Sequence, residues 1–213
     1  MLKREFVIVI VLCLFTVTLS HAQSRPNKYF GLETGIFQQG NFLQSECGTP
    51  IGSYEPNNGY DFGLKFTNYF SENVGIIVRI STINWDTQSD YFQSNFEFST
   101  TSVALGLALR FQLSDPLDFI ANAGVSYNAN SYKYKGGGFP DIKDDGTALG
   151  YFIDAGLRFY LAEQIALGAT LRYTINEQGA DKLEQHLPTG VSVSSNNINF
   201  GGTSVLLDAG FMF

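Results

Sequence analysis

The sequence predicts an all-β fold: an eight-stranded antiparallel up-and-down β-barrel that crosses a membrane. Three observations predict it. Beyond residue 22, apolar residues alternate with small or polar ones and helical periodicity is absent. The connections between the alternating segments are long and short by turns, as expected where outer loops are long and periplasmic turns short. The last segment, residues 203–213, is a strand that ends on Phe213. A free aromatic-ended strand is an aggregation-prone edge in a soluble domain. It suits a strand that closes a membrane barrel, with aromatic rings at the water–lipid boundary.

The chain opens with a targeting pattern. Lys3 and Arg4 form a basic start, residues 6–19 an apolar run, and Ser20-His21-Ala22 a small-x-small cleavage site. The run is shorter than the about 20 residues a spanning helix needs. Residues 1–22 therefore read as a signal peptide and residues 23–213 as one barrel domain. After the leader only Cys47 remains of the cysteines, so no intrachain disulfide can form. The net charge of −7 becomes more negative without the leader. That excludes a nucleic-acid-binding role, which needs a basic face. No other segment could serve as a transmembrane helix. Only a closed barrel satisfies the backbone of a sheet in lipid.

The strands follow in order. Residues 28–37 put Phe30, Leu32, Thr34 and Ile36 on one face, Gly31, Glu33 and Gly35 on the other. A polar stretch rich in Gly, Pro, Ser and Asn covers residues 38–58 and reads as a loop. In residues 60–70, Tyr60, Phe62, Leu64 and Phe66 oppose Asp61, Gly63 and Lys65. Ser71-Glu72-Asn73 is a tight turn into residues 74–85, where Val74, Ile76, Val78 and Ile80 oppose Gly75 and Arg79. Residues 86–95 read as a loop and residues 96–113 as the fourth strand. There Val103, Leu105, Leu107, Leu109 and Phe111 oppose Ala104, Gly106, Ala108 and Arg110. Phe96 and Phe98 have the wrong parity for that apolar set. This predicts a bulge near residues 99–102, or pairing beyond the membrane. Ser114-Asp115-Pro116 turns the chain into a fifth strand, residues 117–129. Residues 130–147, with Gly136-Gly137-Gly138, read as a loop, and residues 148–161 as the sixth strand. After Ala162-Glu163-Gln164 comes the seventh, residues 165–176. Residues 177–197 read as the last long loop and residues 199–213 as the eighth strand. A loose repeat, Gly63-Leu64-Lys65-Phe66, Leu109-Arg110-Phe111, Gly156-Leu157-Arg158-Phe159 and Ala209-Gly210-Phe211, marks one recurring hairpin rim.

Side-chain volume and charge decide which face looks outward. Phe30, Phe62, Leu105, Leu107, Tyr151, Leu157, Leu167, Leu171 and Phe211 are too bulky for the interior of an eight-stranded barrel. The opposite faces are glycine-rich and carry Glu33, Asp61, Lys65, Arg79, Arg110, Asp118, Asp154, Arg158, Arg172 and Asp208. Charge on a lipid face costs about 2–4 kcal/mol at the midplane. The charged face is therefore the expected lumen, and its five acids and five bases are expected to pair there. Val205, Leu207, Phe211 and Phe213 make the candidate assembly signal.

With these features the chain resembles the small outer-membrane β-barrel proteins, the OmpA-like and PorT-like barrel-domain families. The resemblance implies residence in the outer membrane of a Gram-negative bacterium. It further implies contact with outer-membrane lipid and insertion by the barrel-assembly machinery. Some such barrels serve secretion, others adhesion or envelope integrity, through an extracellular or envelope protein partner.

Some small barrels modify lipids, and such chemistry needs a histidine base near a serine or carboxylate at the loops. His186 is the one histidine after the leader. Asp181, Glu184, Ser192 and Ser194 are near it in sequence, but Glu184-Gln185-His186-Leu187-Pro188-Thr189 matches no hydrolase motif and reads as a solvated loop. Asp141, Asp144 and Asp145 lack the spacing of a calcium loop. Lone Cys47 has no adjacent histidine. Tyr132, Tyr134 and Phe139 beside Lys133 and Lys135 read as an outer aromatic girdle or a contact surface. No catalytic residue, metal ligand or cofactor is assigned. The resulting expectation is a non-enzymatic barrel, anchoring, structural or adhesive through its outer loops, with a lumen plugged by charge pairs. The alternatives are a small diffusion pore, a PorT-like secretion-associated barrel, and a rim-active lipid-modifying enzyme using His186.

Overall fold

A computed structural model describes residues 26–39, 55–56, 58–89, 94–136, 139–179 and 197–213. Its eight long strands are β1 (Lys28–Gln39), β2 (Asn58–Tyr69), β3 (Val74–Ser89), β4 (Ser94–Ser114), β5 (Leu117–Gly136), β6 (Phe139–Ala162), β7 (Ile165–Gly179) and β8 (Gly202–Met212). Each pairs antiparallel with the next, and β8 pairs back onto β1, with Phe30 opposite both Phe211 and Phe66. Two backbone hydrogen bonds complete the seam: Lys28 N–H to Phe213 O at 3.0 Å and Phe213 N–H to Lys28 O at 2.9 Å. Closure leaves no open edge within the barrel wall, the condition for a sheet to sit in lipid. Two short pieces extend the wall at the loop end, Glu55–Pro56 on β3 and Asn197–Asn199 on β7.

The strands are what the alternation demands. Along β1 and β2 exposed and buried residues alternate almost without a break. The exposed set is apolar, including Leu32, Phe62, Leu105, Leu107, Leu171, Leu207 and Phe211. Such a surface is stable only against lipid. The short connections are tight. Phe70 N–H and Ser71 N–H both donate to Val74 O, at 3.1 and 3.2 Å, and Val74 N–H donates to Ser71 Oγ at 3.1 Å.

The loop end differs from the expected picture. β4, β5 and β6 are 21, 20 and 24 residues long. A tilted strand crosses the hydrocarbon in about 9–11 residues, so these three extend well past it. Most of what read as loops at residues 86–95 and 130–147 is paired strand: Ser89 faces Ser94, and β5 and β6 stay paired out to Gly136 and Phe139. Polar composition misled there, because a strand outside the membrane has no need of an apolar face.

Of the two expectations for Phe96 and Phe98, the bulge near residues 99–102 does not form, and pairing beyond the membrane is what the structure has. The β3–β4 register runs unbroken from Val74–Leu109 to Ser89–Ser94. An extra residue in a strand paired on both sides would break ladder bonds with two neighbours. The irregularities sit near strand ends instead, at Gln112/Ser114, Tyr134/Gly136 and Tyr160/Ala162. Period two therefore carries Phe98 to the lumen side.

Candidate functional site

All ten charged residues singled out in the sequence lie inside the barrel, none more than 5% exposed. Burial at this level is tolerable only with partners, since an isolated charge loses its hydration. Seven of the ten form one connected set. Glu33 on β1 accepts from Arg79 on β3 through Nε at 3.2 Å and from Arg172 on β7 through Nη2. Arg79 Nη2 reaches Asp154 Oδ2 on β6 at 2.5 Å, and Arg172 Nη1 reaches Asp61 Oδ2 on β2 at 3.2 Å. Lys65 Nζ lies 2.6 Å from Asp208 Oδ1 and 3.9 Å from Glu33 Oε2. Neutral donors fill in: Asn122 to Asp154, Ser204 Oγ to Asp61 at 2.8 Å and Tyr29 OH to Asp208 at 2.7 Å. The pairs Glu33–Arg79, Glu33–Arg172, Arg79–Asp154, Arg172–Asp61 and Lys65–Asp208 join strands that do not adjoin in the wall, so they bridge the lumen. Glycines make the room. The Asp208 carboxylate occupies the space a side chain at Gly168 would need.

The remaining three are used otherwise. Arg158 makes no ion pair among the described residues. Its guanidinium lies 3.7 Å from the centre of the Tyr29 ring, a cation–π contact. The seven-residue set carries one more acid than base, and Arg158 restores neutrality through space rather than by contact. Arg110 caps the short-turn rim, donating to Glu72 O and Pro26 O, both at 3.1 Å, with its guanidinium 4.2 Å from the Tyr69 ring. Asp118 accepts from Tyr160 OH at 2.5 Å.

Toward the loop end the interior becomes neutral. Asn130 and Asn176 exchange amide hydrogen bonds of 3.1 and 2.9 Å, Thr100 donates to Asn130 at 2.9 Å and Ser102 to Asn128 at 2.6 Å. A cavity of about 20 Å³ remains between this layer and Arg79 and Arg172, room for about one water. Above it sits an aromatic cluster that the sequence reading missed. Trp85 stacks on Phe98 at 5.1 Å, with Phe37 at 5.0 Å and Phe200 edge-on at 5.9 Å. Trp85 Nε1 donates to Gln39 Oε1 at 2.8 Å, and Gln39 Nε2 donates to Asn199 O at 2.8 Å, so the indole satisfies its one donor. Tyr132, read as part of an outer girdle, is 1% exposed and its ring centre lies 6.5 Å from Phe98. A signal was there: Phe37, Trp85, Phe98, Tyr132 and Phe200 all have lumen parity near the loop ends of their strands.

Val205, Leu207, Phe211 and Phe213 all point outward from β8 and its end. The Phe213 ring lies 6.5 Å from Phe66 and 5.8 Å from the Lys28 ammonium. His186, Cys47, Asp181, Glu184, Ser192 and Ser194 lie outside the described residues, as do residues 1–22. Asp144 is buried, and Asp145 pairs with Lys143 at 3.2 Å. Among the described residues no three His, Cys, Asp or Glu side chains gather as metal ligands would.

Comparison with known proteins agrees with this architecture. The family model for the outer membrane protein beta-barrel domain matches residues 9–205. Among solved structures, the chain is similar to Neisserial surface protein A, NspA, with a TM-score of 0.57 and 14% identity over 87% of this chain and 97% of that one. It is similar to OprG of Pseudomonas aeruginosa, TM-score 0.53 and 12% identity, over 91% of this chain and 99% of that one. It is also similar to Ail, the attachment invasion locus protein of Yersinia pestis, TM-score 0.51 and 16% identity, over 88% and 99%. At these identities the likeness shows the fold. No curated protein matches the sequence.

Proposed function

Because the chain belongs to the outer membrane protein β-barrel domain family and resides in the outer membrane, we propose that it is a non-enzymatic barrel with a sealed lumen. Its work is done outside the wall, by anchoring and by contacts of the protruding β3–β6 strands and the loops they carry. The observation that supports this reading is the ion-pair network that joins β1, β2, β3, β6, β7 and β8 through the lumen. On this reading the network interrupts any water column at its level, and the aromatic cluster closes the loop end above it.

Conductance is the test. Purified protein in a planar bilayer is expected to give no large steady current. Stable channels with conductance proportional to salt would overturn the seal and establish a diffusion pore. If the seal stands, Arg79→Ala is expected to admit a small current, because it removes two of the bridging bonds at once.

The outward set Val205, Leu207, Phe211 and Phe213 is proposed as the signal read by the barrel-assembly machinery, and residues 1–22 as the cleaved leader that delivers the chain to it. Replacing Phe211 and Phe213 together with Ser is expected to leave chain in the periplasm and to reduce heat-modifiable protein in the outer-membrane fraction. Normal insertion of that variant would remove the signal from β8.

A further inference from the structure

We propose that the outward face of the protruding sheet holds the neutral sugar headgroup of a glycolipid in the outer leaflet. A groove of about 550 Å³ lies there, lined by Tyr60 of β2, Asn84 and Asp86 of β3, Glu97 of β4, Ser131 of β5 and Lys143 of β6. It is of a size that holds small ligands.

Its height relative to the lipid is legible along each strand. Going outward on β3, the outer face runs Val78, Ile80, Thr82, Asn84, Asp86; on β4 it runs Leu105, Val103, Thr101, Ser99, Glu97. Each series passes from aliphatic to hydroxyl, then to amide or carboxylate. The groove therefore begins where the lipid-facing band ends, at the level of headgroups. Tyr60, 76% exposed, continues the outward row of Phe62, Leu64 and Phe66 and offers a ring face.

The donor set selects the ligand. Asp86 and Glu97 balance Lys133 and Lys143 in formal charge. Glu97 is ion-paired with Lys135 at 2.6 Å and Lys143 with Asp145 at 3.2 Å. Hence the groove offers a phosphate no net attraction. Alternating amides, hydroxyls and already-paired charges, with an exposed aromatic ring, suit the hydroxyls and apolar face of a sugar. The Lys135 ammonium also holds the Glu97 carboxyl below its ordinary range, so it remains an acceptor. A shallow groove binds free sugar weakly, but a headgroup tethered in the adjacent leaflet is present at high effective concentration. The groove does not depend on the sealed lumen: a conducting barrel would carry it equally.

The test is native mass spectrometry of the full chain in detergent micelles with three probes: digalactosyl diacylglycerol, phosphatidylglycerol of the same acyl chains, and the free disaccharide. The glycolipid is expected to be retained at least fivefold over phosphatidylglycerol. Tyr60→Ala, and Asn84→Ala combined with Glu97→Ala, should each reduce that preference at least fivefold. Tyr60→Phe, and Tyr151→Ala on the lipid-facing wall outside the groove, should keep it. Retained heat-modifiable gel mobility identifies the variants that are folded. Equal retention of both lipids by the unaltered protein overturns the proposal, and so does a preference that survives in the folded variants. Free disaccharide bound as tightly as the glycolipid would overturn the membrane source.

Discussion

Arg172→Ala is expected to destabilise the folded barrel by about 3–5 kcal/mol, the cost of leaving buried charges without their partner. Arg172 is 2% exposed and donates to both Glu33 and Asp61 from its two terminal nitrogens. Its Nε lies 3.8 Å from Asp154 Oδ2, so three acids converge on one guanidinium. In the sealed lumen proposed above, removing it strands carboxylates away from bulk water. Arg172→Lys keeps the charge but cannot serve two carboxylates with one planar fork, and should fall between the two. Arg158→Ala, in contrast, removes a cation–π contact and not an ion pair, and should cost about 1–2 kcal/mol. Urea titration of protein folded into lipid vesicles measures all three. A loss below about 1 kcal/mol for Arg172→Ala would mean that water reaches the network and that the lumen is not dry.

Leu107→Arg is expected to cost about 2–4 kcal/mol in the same titration. Leu107 is 59% exposed on the outer wall, between Ile76 of β3 and Ala123 of β5, and its strand neighbours on that face are Leu105 and Leu109. An arginine here faces hydrocarbon on every side. Three residues away, Ala104 has the opposite parity and lines the small cavity that Ser81, Ser102 and Ser126 also line. Ala104→Ser adds one small hydroxyl beside Ser126, its partner in the wall, so its effect should stay within about 1 kcal/mol. Equal effects of the two substitutions would contradict the assignment of the outer wall to lipid.

Much of this molecule was legible in its sequence because a membrane barrel obeys local rules. Period-two alternation, with bulk on one face and glycine and charge on the other, identifies strands and their two environments without reference to any distant residue. The short turns were legible for the same reason: Ser71-Glu72-Asn73 and Asp115-Pro116 carry turn chemistry within themselves. The parity of Glu33, Asp61, Arg79, Arg158 and Arg172 followed directly from the strand each sits on.

What failed was what depended on leaving the membrane. Residues 86–95 and 130–147 lack an apolar face and so read as loops, yet much of each is paired strand. Phe98 read as a sign of a bulge or of pairing beyond the membrane, because lumen positions were expected to be small or charged, and only the second alternative occurs. Trp85 and Phe200, whose ring centres lie within about 6 Å of that of Phe98, come from distant parts of the chain, and only the tertiary fold brings them together.

The sequence by itself determined the sidedness of the membrane-crossing part of each strand, since sidedness is a property of odd and even positions along one chain. Only the tertiary structure decided which charges meet. Arg158 and Arg172 have the same residue type and the same parity, yet one lies over a tyrosine ring and the other bridges carboxylates. That difference arises from strand tilt, stagger and the reach of side chains across a closed lumen, quantities that exist only once β8 has met β1.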